Sequence, residues 1–262
     1  MNPDTPTPGY SEFDRGATPK PPESPRQVPV KLPSISPTIT YGILIFTVLV
    51  FIAQEGSRTL LGIDIPSQLG LKVNSLIAQG QIWRLFTPML LHGSLLHIGF
   101  NMYALYLLGP GMERYFGHWR FFILYVLSGF AGNVASFMFS AAPSLGSSTA
   151  IFGLLGAEGV FLYQNRGVLG NFARRALNNI IFVAAINLLI GLSPGIDNWG
   201  HLGGLIGGSL FAAIGGPILS VEGIFPNLNL TDKRETREVV IASLSVSALF
   251  IILTTTTLYL RP

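Results

Sequence analysis

The chain has 262 residues, of which 49% are hydrophobic and only 11% charged, with a mean hydropathy of +0.50. Soluble domains carry about 25% charged residues, so this composition is that of a membrane protein. A net charge of +3 does not make a nucleic-acid binder, because the Lys and Arg are scattered between apolar stretches and form no patch. There is no Cys, which excludes disulfides, thiolate catalysis and Cys-based metal sites, and no residue pattern calls for a metal or other cofactor.

Residues 1–36 are polar and rich in Pro, from Pro3 to Pro33, without apolar periodicity. Such a segment buries too little surface to offset its ordering entropy, and a disordered tail is expected. The first apolar stretch begins only near Ile39, so no cleavable signal peptide is expected.

Seven apolar stretches follow, at roughly 38–54, 91–109, 119–139, 148–164, 177–193, 199–216 and 239–259. Each is near the length of about 20 residues that spans the hydrocarbon, and an all-α, polytopic transmembrane bundle is expected. The connection 55–90 carries Leu60, Leu69, Leu71, Ile77 and Trp83 and is predicted to be partly helical, lying in the outer interface. Alternating sides receive unequal positive charge: twelve Lys and Arg on the side of the N-terminus, and only Arg58, Lys72, Arg84 and Arg261 on the other. The positive-inside rule then puts the N-terminus in the cytoplasm and the C-terminus outside, with the second, fourth and sixth helices running inward.

A strongly polar side chain in a span is costly and is by default a functional candidate. Four stand out: His97 and Asn101, spaced to share one face of the second helix, Ser148 opening the fourth, and His201 opening the sixth. Taken singly, His97, Asn101 and Ser148 are each better explained as interhelical glue worth about 0.6 to 2 kcal/mol; a lone His in a Gly-rich helix is harder to explain without a partner. Gly153, Gly156 and Gly159 thin one helix, and Gly200, Gly203, Gly204, Gly207 and Gly208 the other. Small-xxx-small spacing of this kind lets backbones approach closely, so that Ser148 and His201 could meet within the roughly 2.6 to 3.2 Å that activation of a nucleophile requires.

The residues in their order resemble the rhomboid intramembrane proteases. The likeness runs from Trp83-Arg84 through His92, His97 and Asn101 in LLHGSLLHIGFN and Glu113-Arg114 in GMERYFG. It continues through Gly146 and Ser148 in GSSTAIFGLLGA and His201, Gly204 and Gly208 in GHLGGLIGG. It implies a six-helix catalytic core over 37–218 and a seventh helix within 219–262. It further implies Ser148 as nucleophile, His201 as general base, and His97, Asn101 and the Ser148 N–H as oxyanion hole. His92, Phe152, Gly146, Gly204 and Gly208 would support them. Rhomboids use a dyad with no third acid. Accordingly Asp197 is expected to be a solvated charge, and Glu158, about 15 Å down the helix from Ser148, is expected to snorkel or pair near the cytoplasmic face. His118 is expected to be a plain surface residue.

Two positions depart from the family pattern: Thr149 stands where Gly usually follows the serine, and Phe152 where Tyr is frequent. The implied activity is hydrolysis of peptide bonds in single-span membrane substrates at the cell membrane. It would take place in a water-filled cavity bounded by the 55–90 and 194–198 loops, and the oligomeric state is left open. Two rival readings make different demands on the sequence: a binding-only relative predicts loss of Ser or His, and a small transporter predicts repeated halves. Neither signature is present.

Overall fold

The computed structural model describes residues 30–32 and 34–260. Most of the expected Pro-rich tail lies outside the described residues. Its final part does not follow the expectation of disorder, because Val30–Lys31 forms a strand, β1, paired elsewhere in the chain.

Seven long helices correspond to the seven apolar stretches: α1 (Thr38–Leu61), α4 (Leu95–Phe116), α5 (His118–Phe139), α6 (Ser148–Gln164), α7 (Arg166–Ile190), α8 (Asn198–Gly215) and α9 (Thr236–Leu260). Two short helices, α2 (Ile65–Gly70) and α3 (Asn74–Ala78), and two 3-10 turns lie in the connection from α1 to α4, which is partly helical. Helices α1, α5, α7 and α9 are long and apolar enough to cross a membrane; the chain is an integral membrane protein. By contrast α6, with 17 residues, is about 25 Å long and falls short of a hydrocarbon core of about 30 Å.

Several boundaries differ from expectation. Helix α1 runs on to Leu61 and ends on Gly62, whose φ of 72° closes it in the left-handed region. Hydropathy fades after Gln54, but nothing before Gly62 breaks a helix. Helix α4 starts later than the apolar run, because Ser94 caps it by accepting the His97 N–H. Helix α7 starts earlier, directly after α6, with a break at Gly170 (φ 57°, ψ −134°).

Helix α6 is buried on nearly all sides and forms the centre of the bundle, packed against α5, α7 and α8. Its contact with α8 is a seam of glycines against backbone. A Cβ added to Gly204 would overlap the Thr149 carbonyl, one added to Gly208 the Gly153 carbonyl, and one added to Gly156 the Leu205 carbonyl. Both helices run in the same direction, so their starting residues, near 148 and 198, lie at one end of the seam.

At the opposite end, the segment between α8 and α9 is a hairpin that the sequence reading does not foresee. Strands β2 (Leu219–Ile224) and β3 (Asn227–Asp232) pair antiparallel, and β1 adds to β3 in parallel. Leu219 and Leu230 point into the core. Asn165, at the end of α6, accepts the Leu219 N–H and donates to the Pro217 carbonyl. Arg120 pairs with Asp232.

At this end His118, expected as a plain surface residue, instead bonds through Nδ1 to Glu113. Glu113 is buried and accepts the Ile39 and Thr40 N–H groups and the Thr40 hydroxyl. The carboxylate thereby caps the start of α1, the end of a helix that attracts negative charge. The Thr254 to Thr257 run of α9 lies within the helix, where Thr254, Thr255 and Thr257 return their hydroxyls to carbonyls one turn back.

The seam predicts a contrast between glycines. Gly208→Ala drives a methyl into backbone and is expected to cost about 1–3 kcal/mol. Gly42→Ala faces open space and is expected to be neutral or stabilising by up to about 1 kcal/mol. Unfolding midpoints in detergent micelles measure both.

Candidate active site

Ser148 is the first residue of α6, so its backbone N–H has no acceptor within the helix. Its Oγ lies 3.0 Å from His201 Nε2, a distance at which the hydroxyl donates to a neutral imidazole nitrogen. Phe152, one turn further along α6, stacks on the His201 ring with centroids 4.2 Å apart and planes 10° from parallel. That contact fixes the plane of the imidazole.

Around this pair lies a cavity of about 990 Å³ whose lining includes His97, Asn101, Gly146, Thr149, Asp197 and Asn133. Gly146 has φ 128°, open to glycine, and a Cβ there would stand 2.8 Å from His97 Nε2 and 3.6 Å from Ser148 Oγ. The missing side chain is what lets His97 and Ser148 face the same space. Asn101 is buried and donates its amide to the His97 carbonyl at 3.0 Å.

Of the two walls expected, the 194–198 loop borders the cavity and the 55–90 connection barely does. The 140–146 segment and Gly195 to Asp197 surround the opening, together with Gly93, whereas the 55–90 connection contributes only Leu71. His92 lies behind the site and is fully buried. The Ser147 N–H donates to His92 Nε2 at 3.4 Å, and Ser147 Oγ is 3.2 Å from the same nitrogen. His92 therefore holds the residue before Ser148. Gly204 and Gly208 lie along the helix seam, away from the cavity.

Asp197 is not a solvated charge. It caps α8 by accepting the Gly200 N–H, while its other carboxylate oxygen is buried without a partner. Among the described residues His201 Nδ1 is likewise buried without a partner, and no hydrogen bond joins the two. Glu158 is half-buried, and among the described residues one of its carboxylate oxygens is buried without a partner. Thr149 does not crowd the space above Ser148, since its methyl fits against Gly132 and Gly200.

Four residues that the sequence reading passes over hold the loops at the cavity end of the bundle. Lys72 is fully buried and donates its ammonium to the Ser140 and Ala142 carbonyls at 2.8 and 3.0 Å. Gln54 donates to Asp64, Ser67 and the His92 carbonyl, and accepts the His92 N–H. Asn133 donates to the Leu85 carbonyl. Asn74 donates to the Phe137 and Ser140 carbonyls. Gln54 and Asn133 sit inside apolar stretches, which is the signal that marks His97 and Asn101. Lys72 carried no such signal, since it reads as one more loop charge.

Arg84 is also buried, donating to the Leu71 and Gln68 carbonyls. It folds the α1 to α4 connection onto itself.

Residues 79–218 match the family model described as the Rhomboid domain. The chain belongs to the rhomboid family. It is 40% identical over 215 residues to rhomboid protease GluP of Bacillus subtilis (strain 168), covering 82% of this chain and 40% of that protein. It is 41% identical over 146 residues to RHOMBOID-like protein 1 of Arabidopsis thaliana, covering 55% and 37% of the two chains. It is 31% identical over 189 residues to the chloroplastic RHOMBOID-like protein 9 of the same plant, covering 72% and 43%. The chain thus spans less than half the length of each of these relatives.

Burial lowers the Lys72 ammonium from its ordinary 10.5 to about 8, because the charged form loses hydration. Native Lys72 then gives up its proton at lower pH than the unfolded chain does, so the native state gains stability as pH climbs from about 8 to 10.5. Lys72→Met leaves the Ser140 and Ala142 carbonyls without this donor and is expected to cost about 1–3 kcal/mol. The gap from wild type should widen across that pH window, as read by unfolding midpoints at a series of pH values.

Proposed function

We propose that this rhomboid is an intramembrane serine endopeptidase working through a Ser148–His201 dyad. The observation that carries the reading is the 3.0 Å approach of Ser148 Oγ to His201 Nε2 inside the cavity. As the hydroxyl oxygen attacks a substrate carbonyl, its proton passes to His201 Nε2, and the imidazolium then delivers that proton to the departing amine. Water repeats the cycle on the acyl-enzyme, with His201 again as base.

The negative charge on the attacked carbonyl oxygen develops beside the Ser148 N–H, His97 and the Asn101 amide. For that, Asn101 turns its amide from the His97 carbonyl toward the oxyanion. Donors fixed before the reaction stabilise this charge without reorganising solvent. With no carboxylate bonded to His201, orientation of the ring falls to Phe152 and the Ser148 hydroxyl.

Substrates in this reading are single-span membrane proteins cut near their outer ends, where the helix unwinds. An intact helix hides its carbonyls in its own hydrogen bonds, so a helix-weakening Gly or Pro favours attack. The distribution of Lys and Arg supports a cytoplasmic N-terminus and an outward-facing cavity in the cell membrane. Residues 37–218 form the catalytic unit, and 219–262 supply the hairpin and the seventh helix.

Labelling by a fluorophosphonate probe tests the dyad. Wild type is expected to react, and Ser148→Ala and His201→Ala are expected to remain unlabelled; equal labelling of all three refutes the assignment. In the same framework Asn101→Ala is expected to lower kcat on a membrane substrate by about 10² to 10³, with KM little changed, as loss of one oxyanion donor does.

A further inference from the structure

The cavity does not end at Ser148. Its lining continues between α4 and α7, past Ala104, Leu107 and Leu108 on one side and Asn187, Val183 and Asn179 on the other. These two helices are not packed against each other. Only 11% of the apolar stretch of α7 is buried within the protein, against 72% of that of α5. A lateral cleft is thus left open toward lipid, continuous with the nucleophile.

The wall that α7 gives to this cleft is apolar apart from its two amides. Asn179 and Asn187 are eight residues apart, about 12 Å along the axis and about 80° around it, and both line the cleft. Ile180, next to Asn179, reaches toward Gly159, which lies about 16 Å along α6 from Ser148. Asn187 bonds to the Val183 carbonyl of its own helix. The other amides of the cavity are also engaged, Asn101 with His97 and Asn133 with Leu85. Asn179 is exposed in the cleft and has no hydrogen-bond partner among the described residues. An amide facing lipid gains by bonding to a polar group on a neighbouring helix, and a polar residue at this depth calls for a named partner.

We infer that Asn179 is a specificity-determining residue that selects substrate transmembrane segments carrying a polar side chain, or a backbone carbonyl freed by Gly or Pro, about 16 Å deeper in the membrane than the cleaved bond. This rests on the protease reading of Ser148. The distance sets the spacing. It corresponds to about eleven residues if the substrate is helical below the cut, and to about five if it is extended. The amide both donates and accepts, so it pairs with Asn, Gln, Ser or Thr as well as with a bare carbonyl. A segment of Leu alone offers it nothing.

The test uses the full chain in liposomes with single-span substrates of Leu and Ala, in which one Asn is moved stepwise away from the cleavage site. Wild type is expected to cleave best when that Asn falls about five to eleven residues below the cut. The gain should be about 3- to 30-fold, the range one interhelical polar contact supports, and should appear mainly in KM. Asn179→Leu should abolish the positional preference, and Asn179→Gln should retain it. Asn178→Leu, which alters the neighbouring residue outside the cleft lining, should also retain it. Fluorophosphonate labelling of Ser148 should be the same in all four proteins. Labelled proteins that cleave every substrate equally, or an Asn179→Leu protein that keeps the preference, overturn the inference while leaving the protease reading intact. A wild type that is not labelled removes the protease reading, and this inference with it.

Discussion

The structure depends on two helix backbones touching. Along the seam between α6 and α8, glycine faces carbonyl at Gly204, Gly208 and Gly156, and no other residue fits that separation. Glycine weakens an isolated helix by about 1 kcal/mol per residue relative to Ala. In a bilayer, where apolar side chains gain little by leaving lipid, close backbone contact is the main source of cohesion between helices. Because the axes come so near, a serine and a histidine, both modest in reach, meet across them without either helix bending.

Helix direction adds an electrostatic consequence. Helices α4, α6 and α8 all begin beside the cavity, with His97 in the first turn of one, Ser148 opening the next and His201 in the first turn of the last. Each helix start presents unpaired N–H groups and the positive end of its dipole. Three such ends around one space favour negative charge there before any side chain is counted. Asp197, whose carboxylate caps α8 at the rim of the cavity, offsets part of this field.

The spans were legible in the sequence because lipid imposes a long apolar run, and the candidate site because His97, Asn101, Ser148 and His201 break such runs. What escaped is held by long-range hydrogen bonds that leave no local pattern. The hairpin β2–β3 is joined by β1, some two hundred residues earlier in the chain, and its short strands carry no clear alternation of polar and apolar residues. Lys72 and His118 read as loop charges, since nothing near them in sequence announces the Ser140 and Ala142 carbonyls or Glu113. The end of α1 was misjudged for another reason: hydropathy reports where lipid stops, whereas the helix stops only where Gly62 reverses its φ.

The parallel pairing of β1 with β3 gives the molecule a fixed exit at the end remote from Ser148. The chain leaves α8, turns through the hairpin and enters α9, and in passing it clasps the stretch just ahead of α1. The stretch just ahead of α1 is therefore held beside the first turn of α5 and the last turn of α6, on the same base as the helix that bears the serine.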